Sequence, residues 1–129
     1  MPWEFRGDSP IYAQLMDQLR RRIVSGDLPP GARLPSVRDL AAQAGVNPNT
    51  MQRAMAEMER LGLVYSQRTA GRFVTEDETV IRALRRDLAR EQIDTFLAGM
   101  AQLGFHRGEI LTLQEEEGEK VLTDWNAGG

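Results

Sequence analysis

Hydrophobic residues recur at helical spacing in the first quarter of the chain, which predicts an amphipathic helix there. Ser9 is expected to cap this helix, with Pro10 at its first position. Gly26 is expected to end it, and a proline-rich turn follows. The apolar stripe has one residue in every four, namely Ile11, Leu15, Leu19 and Ile23.

Two shorter helices are predicted next, joined by a tight turn. The first opens on Ser36 as its cap and closes at Gly45, with an inward face of Val37, Leu40, Ala41 and Ala44. The second opens on Asn47 and Pro48 and closes at Gly62. Its inward face is Met51, Ala54, Met55, Met58 and Leu61. Its outward face is Asn49, Gln52, Arg53, Ala56 and Arg60.

Two short strand candidates, 63–67 and 72–75, follow the third helix and are joined by a turn of hairpin length. The segment 32–34 precedes a proline and is expected to be extended. A helix–turn–helix followed by a strand–turn–strand is a winged helix–turn–helix. The predicted fold is therefore mainly α with a small β-wing, and DNA is the leading candidate partner.

Beyond Thr75 the pattern changes to a long helix that Gly104 ends and a shorter one over about 106–117. The apolar stripe of the long helix slips between Leu88 and Ile93, which predicts a bend or a change of packing partner. We expect three parts: a DNA-binding domain over 1–75, a helical dimerisation region over 76–117 and a loose tail over 118–129. The long helix is too apolar to project alone into water, so a second copy is expected to cover it. The residues expected at that dimer surface are Ile81, Leu84, Leu88, Ile93, Phe96, Leu97, Met100 and Leu103.

Charge is unevenly distributed, although the whole chain carries only −3. Residues 1–75 hold 10 Arg against 7 acidic residues, a net charge of +3, whereas residues 76–129 hold 6 basic against 12 acidic residues, a net charge of −6. Such asymmetry favours nucleic-acid contact by the basic half. The absence of cysteine and of a signal-peptide pattern predicts a cytoplasmic protein. No apolar run approaches the roughly 20 residues of a membrane span, so no membrane partner is expected.

The outward face of the third helix carries residue types suited to DNA. Ser36, Thr50 and the free N–H groups of helix starts suit phosphate oxygens. Arg53 suits guanine, and Asn49 or Gln52 suits adenine through paired hydrogen bonds. In the wing, Arg68 and Arg72 are expected to contact phosphates or the minor groove.

No enzymatic chemistry is indicated, and no cofactor is expected. The chain has no phosphate-cradling glycine loop and no nucleophile with a matched base. His106 lies near Glu109 and Glu115–Glu117 in sequence, so a metal site is conceivable. A solvated helix end is the simpler interpretation, and no metal is expected.

The run LPPGARLPSVRDLAAQAGVNPNTMQRAMAEMERLGLVYSQRTAGRFV resembles the N-terminal domain of the GntR family of bacterial transcription regulators. The resemblance covers roughly residues 10–75, and the short acidic C-terminal part is similar to the YtrA-type subgroup. It implies a homodimer on an inverted-repeat operator, usually a repressor and often of adjacent transporter genes. Pro48 stands where some relatives have a polar or basic residue. The DNA contacts that the family implies fall on Arg33, Ser36, Arg38, Asn47, Asn49, Thr50, Arg53 and Gly71.

Two other interpretations stay open. The winged helix also serves as a protein-interaction module, without sequence-specific contact to DNA. A small-molecule effector could bind between the C-terminal helices and the DNA-binding domain, although no residue identifies it.

Overall fold

The computed structural model describes residues 2–128, with side chains up to residue 125. The chain forms two compact units, Met1–Leu88 and Ala89–Gly129. The expected fold class is confirmed, since the described residues are mainly helical with one small antiparallel sheet. In chain order the elements are α1 (Ile11–Ser25), α2 (Val37–Ala44), α3 (Pro48–Arg60), β1 (Val64–Gln67), β2 (Gly71–Val74), α4 (Glu78–Gln102) and α5 (Arg107–Gly128).

The caps of α2 and α3 are those that the sequence predicts. The hydroxyl of Ser36 accepts a hydrogen bond from the backbone N–H of Asp39 at 3.1 Å. The side-chain oxygen of Asn47 accepts from the N–H of Asn49 at 2.8 Å, and Pro48 occupies the first turn. Each cap satisfies an N–H group that has no partner within its helix.

The predicted cap of α1 is wrong. The residue before the helix is Pro10, one position later than expected, and no side chain caps it. The buried amide of Gln14 fixes this end instead. Its nitrogen donates to the backbone oxygens of Arg6 and Ser9 at 2.7 and 2.9 Å, and its oxygen accepts from the N–H of Arg6 at 2.7 Å. The segment before α1 is thus tied to the helix by a side chain five to eight residues away.

Helix α3 lies at the centre of the first unit and contacts α1, α2 and β1. Its methionine face is enclosed by the apolar stripe of α1 and by the sheet. Leu61 was expected on this inward face but is 43% exposed, because the helix ends one residue before it. The side chains that are most completely buried are Leu15, Leu19, Ile23, Met51, Met55, Met58 and Val74.

The wing is a two-stranded hairpin whose register runs from Val64 opposite Val74 to Gln67 opposite Gly71. The segment before α2 extends this sheet, as expected from the proline that follows it. Arg33 bridges to Phe73, and the N–H of Leu34 donates to the carbonyl oxygen of Arg72 at 2.8 Å. The start of α2 and the wing are thereby joined through the backbone.

Glu59 joins the wing to α3. Its carboxylate accepts from the hydroxyl of Ser66 and from the Nε of Arg72, the latter at 2.9 Å. The Arg72 and Glu59 side chains are 24% and 32% exposed, so the pair is only partly solvated. The hydrogen bond from Ser66, followed by that from Arg72, lowers the pKa of Glu59 below its ordinary value.

The long helix α4 belongs to both units. Ile81, Leu84 and Leu88 are buried in the core of the first unit, whereas Ile93 is 55% exposed. The packing of the apolar stripe therefore changes where the sequence predicts it. These three residues pack within their own chain, so they are not available to a second copy. Their assignment to a dimer surface is corrected accordingly.

The expected loose tail is wrong within the described residues, because α5 continues to Gly128. Gly118 does not end the helix, and an ion pair one turn apart links Lys120 to Glu117 at 3.7 Å. The last residue of the predicted tail, Gly129, lies outside the described residues. Along the part of the chain that the structure describes, none of the helices combines the length and apolar character needed to cross a membrane.

The Glu59→Gln variant is expected to lower the free energy of unfolding near neutral pH by up to about 1 kcal/mol. Because the pKa of Glu59 is lowered in the folded state, its contribution is present above the unfolded pKa and is lost as pH falls through the folded value. Urea denaturation of both proteins at neutral and progressively acidic pH measures this difference, which should shrink in acid. Asp94→Asn, at an exposed position of α4, is the matched control. A difference between Glu59→Gln and wild type that does not change with pH would contradict this role.

Candidate nucleic-acid interface

The face of α3 opposite its methionines is a polar, solvent-facing surface. Asn47, Asn49, Gln52 and Arg53 are exposed, and Thr50 is half-buried. The buried Met51 and Met55 fix the rotation of the helix, so that these polar side chains stay outward. The structure thus brings together the α3 residues that the sequence predicts to contact DNA.

A cleft of about 360 Å³ lies between the start of α2 and the wing. It is open to solvent at the first turn of α2, where backbone N–H groups attract anions. Arg38 is exposed on the same helix. Five of the predicted DNA-contacting residues line the cleft: Arg33, Ser36, Arg68, Gly71 and Arg72.

Gly71 is required by the approach of Arg33 to the wing. Its φ of +109° lies in a region that other residues rarely adopt. A Cβ placed there would lie 3.1 Å from the Nε of Arg33, closer than ordinary van der Waals contact. The guanidinium of Arg33 therefore lies directly against the backbone of the wing turn.

The two arginines that flank the wing turn differ in their surroundings. Arg68 is exposed at the turn, as a DNA contact would require. Arg72 is half-buried, and its Nε is engaged by Glu59 at 2.9 Å. In this structure Arg72 holds the wing against α3.

Arg53 is in contact with an aromatic ring. The central carbon of its guanidinium lies 4.5 Å from the centroid of the Tyr12 ring, within the range of a cation–π interaction. About two turns further along α3, the Nε of Arg60 donates a hydrogen bond to the carboxylate of Glu57 at 2.9 Å. That bond from Arg60 lowers the pKa of Glu57.

Tyr12 and Glu59 contact predicted interface residues, although no sequence pattern indicates it. Tyr12 lies beside the apolar stripe of α1, 41 positions before Arg53. Glu59 and Arg72 are 13 positions apart and belong to different elements. Both contacts depend on how the elements pack, and no local sequence pattern predicts them.

The arrangement suits binding of a polyanion better than catalysis. Arginines and a helix N-terminus surround the cleft, and donors and acceptors for base edges line α3.

In the second unit, the N–H of His106 donates to the carboxylate of Glu109 at 3.0 Å, which caps the start of α5. Among the described residues, no three possible ligands are grouped so as to hold a metal ion.

Comparison with known proteins agrees with this geometry. The model of the family described as bacterial regulatory proteins, gntR family, matches residues 11–74. The uncharacterized HTH-type transcriptional regulator YhcF of Bacillus subtilis is 42% identical over 94% of this chain and 96% of YhcF. The HTH-type transcriptional repressor YtrA of the same organism is 35% identical over 74% of this chain and 78% of YtrA.

A solved structure, a GntR family transcriptional regulator from Listeria monocytogenes, superposes with a TM-score of 0.76 and 36% identity. The superposition covers 87% of this chain and 98% of the Listeria chain. The match thus extends beyond the winged helix–turn–helix into the C-terminal helices. The chain belongs to the GntR family, and it is a DNA-binding transcription regulator similar to YtrA rather than an enzyme.

Proposed function

We propose that the chain is a homodimeric repressor that binds an inverted-repeat operator. Each winged domain enters one major groove with the exposed face of α3. The observation that carries this proposal is the polar face of α3, on which Arg53 and Asn49 are exposed. The arginine-lined cleft between α2 and the wing supports it. Side chains on α3 contact bases, whereas Ser36, Arg33 and Arg68 contact phosphates and fix the position of the domain on the duplex.

The apolar surface of the second unit supports pairing with a second copy. Ile93, Phe96, Leu97 and Leu103 are 55%, 44%, 41% and 72% exposed. Contiguous apolar surface of this kind marks an interaction site, and identical chains pair most often about a two-fold axis. Met100 is half-buried on the same helix and completes the proposed dimer surface.

The proposed pairing explains how limited contacts achieve specificity. Pro48 occupies the first turn of α3 and offers no hydrogen-bond donor, so few side chains per domain reach bases. Two domains held about one helical turn of DNA apart, on the order of 34 Å, double the number of base contacts. A dimer on an operator that overlaps a promoter excludes polymerase, which is the proposed mode of repression. The regulated genes implied by the family resemblance are those of an adjacent transporter.

Arg53→Ala is expected to weaken binding to a DNA fragment enriched by the wild-type protein by about 1–3 kcal/mol and to relax one base position in each half-site. The charge-matched control is Arg86→Ala, at an exposed position of α4. Titrations with fragments substituted at each base position measure both effects. If Arg53→Ala binds every fragment as the wild type does, Arg53 makes no base contact. A wild-type protein that enriches no DNA fragment would instead favour a protein-interaction role for this face.

Phe96→Glu is expected to convert the dimer into a monomer, because it places a charge in the centre of the proposed dimer surface. Thr95→Glu, which adds the same charge at a neighbouring exposed polar position, should leave the dimer intact. Sedimentation equilibrium of the three full-length proteins measures the association. A monomeric wild type would refute the homodimer. A dimeric Phe96→Glu variant would refute only this location of its surface.

A further inference from the structure

Tyr12 is the only aromatic ring recorded against a predicted DNA-contacting arginine in the described part of the chain. It lies in the first turn of α1, and its ring centroid is 4.5 Å from the guanidinium carbon of Arg53 on α3. Arg53 itself is exposed, whereas Tyr12 is half-buried. The contact therefore joins a solvent-facing side chain to a ring that is partly enclosed.

The ring has a fixed position because α1 is anchored on two sides. Tyr12 packs against the core of the first unit. Two residues further on, Gln14 is buried, and its amide holds the backbone of Arg6 and Ser9 through bonds of 2.7 to 2.9 Å. The first turn of α1 thus keeps its place although no side chain caps it.

We propose that Tyr12 is a positioning residue for base recognition, which orders the Arg53 guanidinium before DNA arrives. This proposal rests on the proposed role of Arg53 in base contact. A ring holds a guanidinium through its flat face, which leaves the N–H groups in its plane available to a base edge. A long side chain that is already ordered loses less conformational freedom on binding.

The neighbouring cation on α3 does not compete for the ring in the same way. Arg60 is engaged by Glu57 through its Nε at 2.9 Å, whereas no hydrogen bond or ion pair is recorded for Arg53 among the described residues. Among the described residues, the contact that holds the Arg53 guanidinium is therefore the cation–π contact with Tyr12. Arg60 also interacts electrostatically with the Tyr12 phenol. Tyr12→Phe keeps the ring and removes the hydroxyl, so it separates that interaction from the contact between the ring and Arg53.

The test replaces Tyr12 with phenylalanine and with phenylalanines that carry one to three ring fluorines. Fluorine withdraws electron density from the ring face and weakens cation–π attraction while it nearly preserves the shape of the side chain. Tyr12→Phe should bind the enriched DNA fragment as the wild type does. Affinity should then fall stepwise with fluorination by about two- to fivefold in total. Discrimination at the base position that Arg53 contacts should fall in parallel.

The same series in an Arg53→Ala background separates positioning from structural support. There, fluorination should have no effect on DNA affinity. Tyr12→Leu, which removes the ring but remains apolar, should behave like the most fluorinated variant, and thermal denaturation checks that each protein is folded. An equal loss in both backgrounds, or no loss in either, would overturn the proposal. If Arg53→Ala alone binds normally, the proposed base contact of Arg53 fails, and the positioning role of Tyr12 fails with it. If Arg53→Ala binds weakly but fluorination acts equally in both backgrounds, only the positioning role of Tyr12 fails.

Discussion

Helix α3 buries Met51, Met55 and Met58 to 1% exposure or less, and α1, α2 and β1 all contact it. Because one face of the helix is enclosed, its rotation is fixed, and the face with Asn49 and Arg53 is held toward solvent. The flexible methionine side chains fill the space between elements of different shape. The position of the wing depends on the same helix, since Glu59 ties Arg72 to it.

The parts of the fold that were predicted from sequence are those that local chemistry determines. Ser36 and Asn47 cap their helices with bonds that span two or three residues, and such bonds follow from the order of residues alone. The cap expected at Ser9 is wrong because the helix starts one residue later, after Pro10, and the amide of Gln14 binds the backbone oxygen of Ser9 instead. The long α5 was missed because glutamates and glycine at 115–118 resemble a helix end, yet the helix continues.

The candidate site was predictable in its residue types but not in its internal contacts. The exposed residues of α3 follow from helical periodicity. Of those that line the cleft, Arg33 and Gly71 follow from the family resemblance, and Arg68 and Arg72 follow from their place beside the wing turn. The ion pair between Arg72 and Glu59 and the cation–π contact between Arg53 and Tyr12 join residues from separate elements. These contacts arise only when the elements pack together. They make Arg72 a support for the wing, and its contact with DNA stays a prediction.

In the proposed dimer, two copies of this winged domain pair through the exposed apolar face of α4 and share recognition between few base contacts in each copy. Selection of bound fragments from a random DNA pool by the wild-type protein tests this most directly. The proposed dimer should enrich two short half-sites in inverted orientation, with centres about one helical turn apart. Enrichment of a single unrepeated half-site, or of no sequence, would contradict it.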